Sequence, residues 1–232
     1  MLIDQTNARV LDVLENREKT TLVAWLKQAQ ERGLLGQLQE ATIDMWEGYL
    51  LAVQEALGPT VRVVIDRFHV MSKFQEQMTR ARRELQKALS REERDLLKGS
   101  RWLWCSNLEN LTREQRKELA ALKRRFPTLS KLWWHRQRLR RLFEDRRITT
   151  AEEGRRRLLE WCEQGKRLGL VALEKFNETL GRWLEGIANY FMSRSSNGRT
   201  EGFNHGIRSI LWRAFGMQNF AHFRLRVLHA LG

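Results

Sequence analysis

The chain has 232 residues, and 42% hydrophobic side chains supply enough apolar surface for a packed core, which excludes a disordered protein. No run approaches the ~18 consecutive apolar residues of a membrane helix, and the N-terminus lacks the layout of a signal peptide. We therefore expect a soluble, intracellular protein with no membrane partner. Cys105 and Cys162 lack the spacing of a zinc site or a disulfide framework, and we interpret both as core thiols.

The charge is strongly positive and unevenly distributed. The chain has 42 Lys and Arg against 28 Asp and Glu, a net charge of +14. Residues 1–66 carry 6 basic and 10 acidic side chains, whereas residues 67–232 carry 36 and 18. A regional, arginine-rich excess favours a polyanionic partner, and nucleic acid in particular. The alternative is that the basic helical faces only keep the protein in solution.

The N-terminal part predicts a β-hairpin followed by a helix. Residues 2–3 and 9–14 predict two short strands, and the polar segment between them suits a hairpin turn. Apolar side chains then recur at helical spacing from an N-cap at Thr20 or Thr21 until Gly33 ends the helix.

A β-α-β unit is predicted next. A strand at 42–44, a helix at 45–57 that ends at Gly58, and a strand at 61–65 occupy about 25 residues, and this arrangement requires a parallel pair of strands. The first 66 residues therefore predict an α/β structure.

Residues from about 70 to about 191 predict helices and no strand. The predicted features, in order, are a charged helix at 80–97, a capping-box-like start at Thr112 to Gln115, a break at Pro127, and helices through 132–134, 158–161 and 176–190. We interpret the tryptophans as core anchors of this helical part rather than as base-stacking groups.

The last segment predicts a turn and a basic helix. Residues 195–198 form the turn, Thr200 is the predicted N-cap, and the helix spans 201–215 with Gly216 closing it. Six arginines and a single acid, Glu201, occupy residues 194–232. The simplest role of Glu201 is to complement the helix dipole.

Three carboxylates suggest a second role. Asp44 and Asp66 lie at the ends of the two parallel strands, at the edge of the sheet where α/β proteins bind ligands, although such residues often only cap the next helix. Together with Glu201 they are ligands of the type that Mg²⁺ prefers, and two such ions can assist phosphoryl transfer.

Four motifs carry a family resemblance. They are Asp44-Met-Trp-x-x-Tyr49, Val63-Val64-Ile65-Asp66-Arg67-Phe68-His69-Val70, Ser196-Asn197-Gly198-x-x-Glu201-Gly202-x-Asn204, and Ala214-Phe215-Gly216-x-x-Asn219-Phe220. In this order, and over nearly the whole chain, they resemble the ISL-three family of bacterial insertion-sequence transposases. The resemblance implies a ribonuclease H-like α/β fold with an incomplete N-terminal sheet and a large all-helical insertion. Residues 1–70 would form the first part of the core, 71–191 the insertion, and 192–232 the C-terminal helices with the last catalytic acid.

The resemblance also implies roles for individual residues. Asp44 matches the second acid and Glu201 the third acid of an Asp-Asp-Glu triad, and both would be catalytic ligands of Mg²⁺ or Mn²⁺. Asp66 and His69 match an Asp-x-x-His signature that we interpret as structural or DNA-positioning. His69 is either a buried imidazole or a phosphate contact. The remaining implied residues are Asn197, Gly198 and Asn204, whose role stays open, and the DNA-binding candidates Arg199, Arg208 and Arg213.

The first acid of the triad has no match. In the family it lies on a strand before the hairpin, whereas Met1 falls inside the hairpin, so we interpret Asp4 as a turn residue. Upstream zinc-binding and helix-turn-helix segments have no counterpart either. The sequence thus predicts the C-terminal portion of a transposase, lacking the first catalytic aspartate and inactive alone.

The intact mechanism implied is Mg²⁺-dependent hydrolysis at the end of the element, followed by attack of the freed 3′ hydroxyl on target DNA. The expected partners are DNA, both element ends and target, and a second copy or a full-length transposase, in the bacterial cytoplasm at the nucleoid. One alternative is a non-catalytic, basic DNA-binding remnant that associates with a full-length transposase. Another is an unrelated basic α/β protein, which would require Asp44 and Glu201 to be distant in the fold.

Overall fold

The computed structural model describes residues 1–214 and 219–232, with their side chains except those of Arg199 and Glu201. The chain divides into two compact units, which we call the sheet unit (Met1–Asp66 with Ser195–Gly232) and the helical unit (Arg67–Arg194). Within these described parts, strands form two two-stranded sheets and the rest of the regular structure is helical. The predicted mixture of α and β structure is confirmed. The ribonuclease H-like assignment and the boundaries at residues 70 and 191 stay predictions.

The hairpin of the sheet unit is present as predicted. Strand β1, Leu2–Asp4, pairs antiparallel with β2, Arg9–Asp12. Ala8 has a positive φ of 53°, as hairpin turns require.

Helix α1, Lys19–Glu31, follows the hairpin and begins earlier than predicted. The carbonyl of Glu18 already accepts the amide of Leu22, so Glu18 occupies the N-cap position and both threonines lie in the first turn. The predicted cap at Thr20 or Thr21 is therefore wrong. The predicted end is correct, because Gly33 adopts a left-handed φ of 72° just after the helix.

The β-α-β unit is confirmed. Strand β3, Glu40–Ile43, and strand β4, Arg62–Ile65, are parallel and pair residue for residue from Glu40 with Arg62 to Ile43 with Ile65. Helix α2, Glu47–Leu57, connects them and packs against α1. It ends at Gly58, whose φ of 70° suits glycine.

Helices α11, Gly198–Arg213, and α12, Phe220–Leu231, complete the sheet unit. The predicted N-cap at Thr200 is wrong, because α11 begins at Gly198 with Asn197 as its N-cap residue. The predicted end at Phe215 and Gly216 lies outside the described residues. A small core joins the hairpin to both helices, with Val10, Val13 and Val227 buried at its centre.

An ion pair with a buried carboxylate fastens α12 to β2. Asp12 is 5% exposed and accepts hydrogen bonds from Nε and Nη2 of Arg224, at 2.5 and 2.8 Å, and from Nε1 of Trp25 at 2.7 Å. Burial raises the pKa of Asp12, but the hydrogen bonds from Arg224 and Trp25 outweigh this effect and hold the pKa below its ordinary value. The sequence analysis did not identify this pair.

The helical unit consists of eight α-helices and one short 3₁₀ turn, all within described residues. They are α3 (Arg67–Lys87), α4 (Arg91–Leu97), α5 (Arg101–Cys105), the 3₁₀ turn Leu108–Asn110, α6 (Arg113–Arg125), α7 (Pro127–Glu144), α8 (Ala151–Lys166), α9 (Val171–Arg182) and α10 (Leu184–Ser193). The capping box of Thr112 and Gln115 is confirmed, and Pro127 begins α7. None of the helices that the structure describes is long and apolar enough to cross a membrane.

Two predicted helices of this unit are each divided in two. The predicted helix at 80–97 is interrupted at residues 88–90, where Ser90 and Glu93 form a capping box that starts α4. The predicted helix at 176–190 breaks at Trp183, which ends α9 and precedes α10.

Tryptophans do anchor the helical core, as predicted. Trp104, Trp133 and Trp161 are 3% exposed or less, and Trp161 packs edge-on against Phe74 and Phe176. The interpretation is wrong for Trp102 and Trp134 of this part, which are 44% and 48% exposed. Trp212 on α11, outside this part, is 85% exposed.

Candidate active site

The candidate site begins with two aspartates at one edge of the parallel sheet. Ile43 of β3 pairs with Ile65 of β4, so the next residues, Asp44 and Asp66, leave the two strands side by side. This edge is the carboxyl end of both strands, as predicted. Asp66 is 2% exposed, whereas Asp44 is half-buried.

Asn197 bridges the two aspartates. Its side-chain Nδ2 donates a hydrogen bond to Oδ1 of Asp44, and its backbone N–H donates one to Oδ2 of Asp66, both at 2.9 Å. The two bonds connect residues more than 130 positions apart in the sequence. They hold the start of α11 against the edge of the sheet.

The bridge also explains where α11 begins. The side chain of Asn197 makes no capping hydrogen bond to its own helix, because it is bonded to Asp44 instead. The amino end of a helix carries a partial positive charge, so two carboxylates beside it are stabilised. Asp66 takes up one of the backbone N–H groups that the start of a helix leaves without a helical partner.

Glu201 occupies the helical position one turn after Asn197. Residues four apart share a face of a helix, so position 201 lies on the face that begins at Asn197. The side chains of Glu201 and Arg199 are outside the described part, and their predicted roles stay predictions. Gly198 is the first residue of α11.

The other predicted residues of α11 lie farther along it. Asn204, Arg208 and Arg213 are exposed. Arg213 lines a groove between α11 and α12 together with Arg226 and His229. The exposed side chains of Arg208 and Arg213 are accessible to a ligand, and their role in DNA binding stays a prediction.

Comparison with known proteins identifies the family. The profile of the ISL-three family of DDE transposases, described as "Transposase", matches residues 1–227. The chain belongs to this transposase family. It is also 30% identical, over 230 residues, to the transposase for insertion sequence element IS1001 of Bordetella parapertussis. That match covers 98% of this chain and 55% of the relative, so the chain spans about half the length of the curated transposase it matches. No solved structure matches the chain.

DDE transposases use a divalent metal, and the described residues include oxygen donors of the kind that such a metal binds. No group of three or more His, Cys, Asp or Glu suited to a metal occurs among the described residues. Asp44, half-buried at the edge of the sheet, nevertheless offers carboxylate oxygens, and hard divalent cations prefer oxygen ligands. The specific ion, Mg²⁺ or Mn²⁺, stays a prediction.

The transposase signature Asp-x-x-His separates into two environments. Asp66 is the last residue of the first segment of the sheet unit. His69 lies in the first turn of α3 in the helical unit, where it is half-buried. Asp66 therefore contributes to the site through its hydrogen bond with Asn197. The two alternatives for His69 stay open.

Asp4 is the turn residue that the sequence indicates. Its Oδ1 accepts the backbone N–H groups of Thr6 and Asn7, both at 3.0 Å, and its Oδ2 accepts Nδ2 of Asn7 at 2.6 Å. The side-chain hydrogen bond from Asn7 lowers the pKa of Asp4. This carboxylate stabilises the hairpin turn.

Sequence reasoning missed the part played by Asn197. The family motif included Asn197 without a role, because a bond to residues far away in the sequence leaves no local signal. The exposed Trp212 was missed for a different reason. Its helical spacing is that of any residue on α11, and only the packed structure shows which face is buried.

Proposed function

We propose that the chain is the catalytic part of an insertion-sequence transposase, with a ribonuclease H-like core that cleaves DNA at the end of the element and joins the 3′ hydroxyl to target DNA. The observation that carries this proposal is the bridge of Asn197 to Asp44 and Asp66. It brings the helix with the family's last acid, Glu201, to the edge of the sheet where the family's second acid lies.

Asp44 and Glu201 would hold the metal, Mg²⁺ or Mn²⁺. When bound, such an ion activates a water nucleophile and stabilises the leaving oxygen of the phosphodiester. Asp44 is half-buried, which leaves it more accessible than Asp66. Asp66 acts as a positioning residue, because its hydrogen bond to the backbone of Asn197 fixes the start of α11.

DNA, as element end and as target, is the proposed partner. The exposed Arg208 and Arg213, together with Arg199, would contact phosphates. We further propose that the protein acts at the bacterial nucleoid as a homo-oligomer or paired with a full-length transposase.

We propose that strand transfer requires a third acid besides Asp44 and Glu201. Asp4 is not this acid, because its carboxylate is used in the hairpin turn. By analogy, removing a single electrostatic group from an active site costs a factor of about 10²–10³ in rate. Vigorous metal-dependent cleavage by the purified chain, lost in Asp44→Ala, would contradict this part of the proposal.

Metal binding tests the site independently of activity. We expect Mn²⁺ binding, measured by electron paramagnetic resonance, to weaken about tenfold or more in Asp44→Asn and in Glu201→Gln, since each removes a charged ligand. Glu84→Gln is the matched control, because Glu84 lies on the surface of α3 and pairs only with Lys87 among the contacts described. Unchanged Mn²⁺ affinity in both site variants would refute the assignment.

A second function, DNA binding without cleavage, is favoured by the basic C-terminal helices. Residues 202–232 contain no Asp or Glu, and Arg208 and Arg213 are exposed. In a salt titration of duplex DNA binding, we expect the logarithm of the affinity to fall by about 0.9 per phosphate contact for each tenfold rise in salt. A flat response would leave the basic faces with a role in solubility only.

A further inference from the structure

The exposed face of α11 leads away from the aspartates. At 100° per residue, positions 197, 201, 204, 208 and 212 of the helix fall within an arc of about 80°. The face therefore begins at the bridge to Asp44 and Asp66 and ends at position 212. We refer to these five positions as the α11 stripe.

The opposite side of α11 is the packed one. Phe203, Ile207 and Ile210 pack against the buried core formed with β2 and α12. Burial of this side fixes the rotation of the helix, so positions 204, 208 and 212 of the α11 stripe face outward, whereas Asn197 at its start is bonded to the edge of the sheet. Asn204 and Arg208 are accordingly exposed.

Trp212, at the far end of the stripe, is unusually exposed for a tryptophan. Its exposed fraction of 85% is the largest among the large hydrophobic side chains of the described residues. Arg208 lies one turn before it on the same face, and Ser209 is also exposed. Among the described residues of this stretch of α11, the exposed ring therefore has an exposed cationic residue, Arg208, one turn before it.

We propose that the α11 stripe is a track for a DNA strand that leaves the aspartate site, and that Trp212 stacks on an unpaired base of this strand. The proposal rests on the proposed function. Trp212 lies about 22 Å along the helix from Asn197, a distance that a strand of several nucleotides spans. Arg208 contacts a phosphate on the way.

The charge around Trp212 selects DNA over a second copy of the chain. Between positions 199 and 232, five arginines and a single acid, Glu201, lie in sequence. A second copy that bound through the same helix would bring the same positive surface against this one, which like-charge repulsion disfavours. A polyanion is complementary, and an aromatic ring stacks on any exposed base. The bases of an intact duplex are already stacked, so the ring needs an unpaired one.

Binding of a single strand and of the matching duplex, without metal, tests the proposal. In Trp212→Ala we expect the Kd for the single-stranded oligonucleotide to rise about 5- to 100-fold, and the Kd for the duplex to change less than about twofold. Trp212→Phe should retain most of the affinity, because phenylalanine also stacks. Trp102→Ala is the matched control, since Trp102 is 44% exposed in the helical unit.

The dependence on salt separates stacking from charge. Arg208→Gln should lower the salt slope for the single strand by about 0.7, the value of one phosphate contact, whereas Trp212→Ala should leave the slope unchanged. In addition, 2-aminopurine placed at successive positions of the strand should be quenched at one or two positions only. This quenching should disappear in Trp212→Ala.

Three outcomes would overturn the proposal. If Trp212→Ala leaves single-strand affinity unchanged while the wild-type chain binds DNA, the track is wrong and the proposed function stands. If the variant instead alters sedimentation of the free protein, Trp212 contacts a second copy. If the wild-type chain binds neither single-stranded nor duplex DNA, the proposed function fails as well.

Discussion

Replacing Asn197 with alanine removes one bond of the bridge and keeps the other. The side-chain bond to Asp44 is lost, whereas the backbone N–H that binds Asp66 is present in any residue except proline. The variant therefore distinguishes the contribution of Asp44 to the bridge from that of Asp66. We expect Asn197 to be energetically coupled to Asp44 and only weakly coupled to Asp66.

The size of the destabilisation expected in Asn197→Ala follows from the contacts. A hydrogen bond to a charged group contributes about 1.5–3 kcal/mol, and the half-buried Asp44 places this bond at the lower end of that range. Loss of the N-cap residue adds little, because the Asn197 side chain makes no capping bond to α11. We expect Asn197→Ala to destabilise the start of α11 by about 1–2 kcal/mol.

A pair of double-mutant cycles measures the coupling. Asn197→Ala is combined with Asp44→Ala in one cycle and with Asp66→Ala in the other, and the first should show a coupling of about 1 kcal/mol against less than about 0.5 kcal/mol in the second. Hydrogen exchange of peptides from α11 is the appropriate measurement, because a global melting curve would combine the two units of the chain. Equal coupling in both cycles, or stronger coupling to Asp66, would refute this account of the bridge.

Two further predictions concern the helical unit. Gly154→Ala should lower the free energy of urea unfolding by about 1–3 kcal/mol, because a Cβ there would lie 2.2 Å from the buried ring of Phe191. Gly181→Ala, with open space around the Cβ, should instead raise the free energy of unfolding by about 0.5–1 kcal/mol. Equal effects of the two variants would contradict the packing. Burial lowers the pKa of Lys123 to about 8, with Nζ 3.1 Å from the ring centre of Trp133, so tryptophan fluorescence should titrate near pH 8. In the unfolded chain the pKa of Lys123 is higher, at ~10.4, so between pH 8 and this value the unfolded chain binds one proton more than the folded chain. The free energy of unfolding should therefore rise with pH over this range, and Lys123→Met should remove this dependence on pH.

The sheet edge could be predicted because its signals are local. Strand 61–65 is rich in β-branched residues, with Val63, Val64 and Ile65 in succession, Gly58 ends the preceding helix, and the short connection allows only a parallel pair. From that topology alone, Asp44 and Asp66 had to lie side by side. The hairpin followed in the same way from its polar turn.

Element boundaries that depend on distant residues could not be predicted. Helix α11 begins at Gly198 because Asn197 is bonded to two aspartates more than 130 residues away, and Thr200 has the better local pattern for a cap. The division of the predicted helix at 80–97 is different. Ser90 and Glu93 form the capping-box pattern of a helix start, so the signal was in the sequence and was outweighed by the charged helical spacing around it.

Helix α11 joins three parts of the sheet unit, and its packed face therefore affects the position of its first residues at the aspartates. Its first residues are bonded to the aspartates, while Phe203 and Ile207 pack on a core shared with β2 and α12. That core is held together by the ion pair of Asp12 with Arg224. Since a packed helix moves largely as a rigid body, a shift of α12 away from β2 would move the start of α11 relative to Asp44. We therefore expect the position of the start of α11 relative to Asp44 to depend on the ion pair of Asp12 with Arg224, although Asp44 does not touch that pair in the described contacts.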